Sequence, residues 1–213
     1  MTNIYITDMD GTLTKGSVVL QHAGHLIAKG LITDDGSYGA WLLDVKNESL
    51  IVAVAENYRK EVMGLEIKDL DVENFVAEML ADSSNWYTIL EELVLAQAQG
   101  HRVIIISGSS DFLVEEVGKQ LQFEAVGTKY LTCPQNKLTG DVIGMFGYEA
   151  KDKWITENVN FADYENSFGL GDTVSDFGIF KHTEHNTLVE PTSHTMEFLL
   201  KSDVRMARIH HEG

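Results

Sequence analysis

One cysteine, Cys133, stands in 213 residues. An intrachain disulfide framework is therefore excluded, and a reducing, cytoplasmic setting is the expected localisation. Prolines number two, and neither a low-complexity tract nor a repeat marks an interdomain linker. No apolar run is long enough to span a bilayer and no stretch resembles a signal peptide. Basic residues are also scarce: 16 Lys and Arg face 33 Asp and Glu, for a formal net charge of −17. The average surface repels nucleic acid and anionic lipid, so neither is an expected partner. An anionic substrate meets the same repulsion and needs local positive charge, from a metal ion and a lysine. Against these absences stands a hydrophobic content of 44%, enough to build the core of one substantial domain, with or without a smaller insertion.

Four short apolar runs end in small or acidic residues: Ile4 to Thr7, Val103 to Ser107, Phe168 to Gly171 and Leu188 to Glu190. They read as parallel strands with functional C-terminal ends. Between them, Trp86 to Gln99, Asp111 to Leu121 and Ala150 to Asn158 repeat apolar residues three and four apart, as helices do. Strands alternating with helices predict an α/β fold: a Rossmann-like parallel sheet core flanked by helices. The segment 15–84 breaks the rhythm and reads as a small helical cap domain inserted after the first strand, leaving 1–14 and 85–213 as the core. Within it, Ser49 to Met63 and Val72 to Leu80 have helical period, and Asp34 to Gly39 reads as a loop. Asn136 to Asp141 suggests a hairpin.

The most informative run is Asp8-Met9-Asp10-Gly11-Thr12, at the exit of the first strand. Side chains alternate along an extended backbone, so Asp8 and Asp10 can point the same way while Gly11 turns the chain. A buried carboxylate pair repels itself unless a proton or metal intervenes, and Mg²⁺ with oxygen ligands is the natural neutraliser. The plain alternative is a surface turn. Further along, Ser107-Gly108-Ser109-Ser110 follows a strand and precedes a helix. Free N–H groups there, the helix dipole and the Ser107 hydroxyl suit a phosphate, although Ser109, Ser110 or Asp111 could simply cap a helix. Lys151, with Lys153 as a rival, opens the next helix. Then Gly171-Asp172-Thr173-Val174-Ser175-Asp176 again sets acids beyond a strand. Asp172 would join Asp8 at a metal, and Asp176 would orient the lysine or a metal-bound water.

This order of motifs resembles that of the haloacid dehalogenase-like hydrolases. The run Lys137-Leu138-Thr139-Gly140-Asp141-Val142 and the position of the cap resemble the phosphoserine phosphatase-like branch. The resemblance implies a Mg²⁺-dependent phosphatase acting on a small phosphomonoester through an aspartyl-phosphate. Asp8 would be the nucleophile and Asp10 the acid/base. Mg²⁺ would be held by Asp8, the Asp10 carbonyl and Asp172. Ser107, the Gly108 amide and Lys151 would cradle the phosphoryl oxygens, and Thr12 and Asp176 would support them. Lys151 is preferred to Lys153 because an apolar helix position, Ile155, follows it by four. Phosphoserine-specific members carry an acid soon after the first motif, absent from Thr12-Leu13-Thr14-Lys15-Gly16-Ser17, and a cap arginine, for which Arg59 is the sole candidate. Phosphoserine is thus one candidate substrate among small phosphate esters. A phospho-accepting receiver domain and a non-catalytic binding protein of the same fold are the alternatives.

Other features are expected to be structural. His22-x-x-His25 and His182-x-x-His185 could each pair imidazoles on a helical face but lack a third ligand. Tyr38, Trp41 and Tyr58 are expected to pack, His210 and His211 to form a polar tail, and Cys133 to be unreactive.

Overall fold

A computed structural model describes residues 2–33, 48–144, 147–206 and 208–212. The predicted loop from Asp34 to Gly39, with Tyr38, and Trp41 lie outside these residues. Seven strands form one sheet: β1 Ile4–Thr7, β2 Arg102–Ser110, β3 Glu124–Thr132, β4 Leu138–Ile143, β5 Ser167–Gly171, β6 His185–Val189 and β7 Arg208–His210. Their order is β4-β3-β2-β1-β5-β6-β7, parallel throughout except for the antiparallel β3–β4 hairpin. Among the described residues the helices are α1 Val18–Ala28, α2 Glu48–Val62, α3 Val72–Ala81, α4 Ile89–Ala98, α5 Asp111–Leu121, α6 Gly147–Asn158, α7 Phe177–Phe180 and α8 Ser193–Leu199.

A parallel sheet must bury both faces, and the period of two along its strands shows how this one does so. Ile4, Ile6, Ile104 and Ile106 pack with Ile155, Phe177 and Phe180 on one side. Val103 and Ile105 point the other way, into a cluster that continues through Leu93 and Phe112 to Val19, Tyr58, Val62 and Phe75. The helices of 15–84 are therefore tied to the sheet by shared apolar packing. The chain leaves and re-enters through paired backbone: Thr14 bridges Trp86, and the Lys15 N–H donates to the Asn85 carbonyl at 2.8 Å. The hairpin reaches the same helices, with the Gly64 N–H on Leu138 O at 2.8 Å and the Leu138 N–H on Leu65 O at 2.9 Å.

Several sequence-based boundaries move. Trp86 is extended, so α4 begins at Ile89. The segment after Ile106 is not a compact turn: β2 continues to Ser110, with a register shift against β3. The expected hairpin at Asn136 is the β3–β4 turn, with Asn136 at φ +59°. Strands β3 and β7 carry no apolar run in the sequence. Among the described residues no helix is long and apolar enough to cross a membrane.

Candidate active site

The sheet order reverses direction at β1, with β2 on one side and β5 on the other. In open α/β sheets the crevice at such a switch, beyond the carboxyl ends of the strands, collects ligands. Here β1 delivers Asp8, β2 delivers Ser107 and β5 delivers Asp172.

Asp8 is 7% exposed and its N–H donates to the Leu170 carbonyl at 3.0 Å, which fixes the backbone at the end of β1. Its Oδ1 accepts Lys151 Nζ at 2.6 Å. The same ammonium donates to Asp176 Oδ1, also at 2.6 Å. Lys151 comes from α6, and α6 meets α7 closely at Gly178, where a Cβ would collide with the Tyr148 carbonyl and crowd Lys151 Cβ. Asp176 is locked from its other side: Oδ2 accepts the N–H groups of Asp172 and Thr173, each at 2.9 Å. It thereby ties the loop after β5 to the lysine. Lys153 lies on the solvent side of α6, with a side chain 74% exposed and Glu157 as its ion-pair partner.

Asp172 accepts the Thr12 hydroxyl at 3.0 Å. Gly11, at φ +79°, lies directly against that carboxylate, and any side chain there would overlap it. Asp10 turns its carboxylate toward β2 and the start of α1. Its Oδ1 accepts the Val18 N–H at 2.6 Å, and its Oδ2 accepts two hydroxyls, Ser107 at 2.9 Å and Ser109 at 2.7 Å. Ser107 Oγ in turn accepts the Ser109 N–H at 3.0 Å. Gly108 sits between them, its carbonyl accepting the Thr128 hydroxyl at 2.7 Å. The sequence reading assigned Ser109 no role beyond helix capping. Because β2 continues to Ser110, residues two apart face the same way, and Ser107 and Ser109 present their hydroxyls together.

The electrostatics of this cluster are unbalanced. Burial pushes the Asp8 carboxyl up to about 7; Lys151 opposes the rise, and Asp176 and Asp10 add to it. Asp10 is raised as well, chiefly by burial, against the hydrogen bonds from Val18, Ser109 and Ser107 and the charge of Lys151. Burial works against the Lys151 ammonium, but Asp176 and Asp8 outweigh it and hold the group charged. Ligand oxygens of Asp8, Asp172 and Asp176, all buried, lie within 4.8 Å of one another. Three buried carboxylates so close together repel one another, and a hard, oxygen-seeking divalent cation would relieve that repulsion. The donor set fits such an ion.

The histidine pairs do not converge on a metal. His22 is buried, with Nδ1 at 2.6 Å from the Tyr58 hydroxyl and Nε2 at 2.8 Å from the Leu70 carbonyl. A carbonyl only accepts, so Nε2 carries the proton and Nδ1 accepts from Tyr58. His25 contacts Asp71 at 3.0 Å. His182 and His185 do not share a helix: His182 contacts Asp152 at 2.5 Å, and His185 begins β6 with its ring against Phe168. His210 is part of β7 rather than a free tail, and its carbonyl accepts the Glu190 N–H at 2.9 Å.

A family model described as haloacid dehalogenase-like hydrolase matches residues 6–181. Among solved structures, a protein of unknown function from Bordetella pertussis Tohama I is 15% identical, with a TM-score of 0.74 over 97% of this chain and 98% of that one. A substrate-bound phosphoserine phosphatase is 18% identical, with a TM-score of 0.59 over 97% of this chain and 93% of that one. Cytosolic 5'-nucleotidase IIIB bound to cytidine is 12% identical, with a TM-score of 0.61 over 97% and 79%. At these identities the likeness is one of fold. No curated protein matches the chain.

Proposed function

The chain belongs to the haloacid dehalogenase-like hydrolases, and on that footing we propose that it is a Mg²⁺-dependent phosphatase that hydrolyses a small phosphomonoester through a phosphorylated Asp8. The observation that carries this reading is Lys151 bridging Asp8 and Asp176 at 2.6 Å each, beside Asp172, with Asp10 held over the end of β2. In this reading 1–14 and 85–213 form the catalytic core, and 15–84 is the cap that limits access to it.

An Asp8 oxygen attacks phosphorus, an O–P bond forms, and the bond to the leaving oxygen breaks. Asp10, in its protonated form, gives its proton to that oxygen, so the product leaves as a neutral alcohol. Asp10, now a carboxylate, takes a proton from water as the water oxygen attacks the phosphorus of the acyl phosphate. Inorganic phosphate departs, and Asp8 and protonated Asp10 are regenerated. Lys151, the Ser107 hydroxyl and the Gly108 amide face the phosphoryl oxygens, where transition-state charge is spread. Asp176 keeps Lys151 from collapsing fully onto Asp8. The Asp8 carboxylate, the Asp10 carbonyl and Asp172 would hold Mg²⁺, which neutralises the carboxylates and lets an anionic phosphate approach them.

The nearby phosphoserine phosphatase fold makes phosphoserine the first substrate to try. The absence of an acid after the first motif keeps sugar, alcohol and choline-like phosphates beside it. Phosphate release from a panel of such esters, with Mg²⁺ and with excess chelator, tests the reading. Turnover is expected with Mg²⁺ and is expected to vanish on chelation. Undiminished turnover after chelation would refute the metal assignment, and none on any ester would refute the activity.

A further inference from the structure

Two hydroxyls converge on one oxygen of Asp10, and the proposed chemistry needs one of them elsewhere. Ser107 is the hydroxyl placed to meet the phosphate. In this structure it donates to Asp10 Oδ2 at 2.9 Å, and a hydroxyl has one proton to give. When Ser107 turns to a phosphoryl oxygen, Asp10 loses that bond. Ser109 remains, a residue 7% exposed that donates to the same Oδ2 at 2.7 Å. The Val18 N–H holds the other oxygen at 2.6 Å. Because the Ser109 N–H supports Ser107 Oγ at 3.0 Å, the two serines also hold each other in register along β2.

We propose that Ser109 is the positioning residue for Asp10, keeping its carboxyl aimed at the leaving oxygen after Ser107 has been given over to the phosphate. Departure of the Ser107 proton frees one lone-pair direction on Oδ2, where the transferable proton of Asp10 resides. Ser109 on that oxygen and Val18 on the other prevent rotation of the carboxyl group. The proposal rests on the reading of Asp10 as acid/base. It adds a residue to which the motif order assigns no such task.

The test compares kcat/KM for ethyl phosphate, whose alkoxide needs a proton to leave, with that for 4-nitrophenyl phosphate, whose phenolate leaves without one. Ser109→Ala and Ser109→Gly are expected to lower kcat/KM on ethyl phosphate by roughly 10-fold or more, and on 4-nitrophenyl phosphate by less than about 3-fold, within the range of a positioned acid. Ser109→Thr, which keeps the hydroxyl, is expected to restore the ethyl phosphate rate. Thermal melts of all three establish that they fold. Equal losses on both esters, or no loss on ethyl phosphate, would overturn the role of Ser109. Asp10→Asn separates this from the parent reading: an Asp10→Asn enzyme that handles ethyl phosphate as well as the wild type would refute the acid/base assignment itself.

Discussion

At the ends of β1 and β5, the carboxylates of Asp8, Asp172 and Asp176 gather within 4.8 Å, Asp8 and Asp176 share the Lys151 ammonium, and burial lifts the Asp8 carboxyl to about 7. Within the helical segment 15–84, His22 is just as buried, yet both its nitrogens have partners, Tyr58 at 2.6 Å and Leu70 O at 2.8 Å. Both clusters are buried and polar, and they differ in whether their groups complement or repel one another. The histidine network closes on itself and needs no ligand, as structural polar networks do. The carboxylate cluster sets three buried acids within 4.8 Å of one another, a crowding expected where a cation and an anionic substrate bind. Burial of polar groups therefore does not identify a site. Close crowding of buried like charges does.

The contrast can be broken most severely at Asp8. Asp8→Asn is expected to abolish phosphate release, by roughly 10⁴-fold or more, while leaving the fold at least as stable, because it removes one of three crowded carboxylates. A large loss of thermal stability would show that the cluster is structural. Lys151→Ala comes next. It leaves Asp8 and Asp176 without their shared cation, so about 3–5 kcal/mol of stability should be lost together with turnover. Lys153→Ala, on the exposed side of the same helix, should change neither; equal effects in the two variants would reverse the assignment.

The histidine network sets the opposite expectation. His22→Gln should cost about 2 kcal/mol in denaturant unfolding and less than about 10-fold in kcat/KM, a loss of stability rather than of chemistry. The same residue also makes stability depend on pH. Burial holds the His22 pKa at about 4, below the ordinary 6.5, so the folded chain refuses a proton that the unfolded chain accepts. His22 therefore contributes fully above about pH 6.5. That contribution is lost as the pH falls through about 4, by about 3 kcal/mol in all. The part of the pH slope that disappears in His22→Gln measures it, and an unchanged slope would show that His22 titrates alike in both states.

Much of the molecule was legible in its sequence because its site lies where strands end. Asp8, Ser107 and Asp172 each follow an apolar run, and short apolar runs are what a buried parallel sheet imposes on a sequence. Lys151 carried only a weak local signal, since its place depends on the close approach of α6 and α7 at Gly178. Strand β3 was not legible because it has neither an apolar run nor a regular alternation: Gly127 and Thr128 are buried side by side, while Glu124, Lys129 and Thr132 are exposed. The His22 network was equally hidden, since its partners lie 36 and 48 residues away. Ser109 was hidden for a different reason: the small-residue run reads as a turn, and only the observed extension of β2 to Ser110 puts its hydroxyl beside that of Ser107.

The central claim is that Asp8 carries the phosphoryl group, and borohydride trapping tests it most directly. The enzyme is quenched during turnover of its best ester and treated with borohydride, which reduces an aspartyl phosphate to homoserine, and the peptide containing residue 8 is read by mass spectrometry. Homoserine at position 8, absent without substrate and absent in Asp8→Asn, is the result expected. Steady turnover with Asp8 unmodified, or with homoserine at Asp10 or Asp172 instead, would contradict the account.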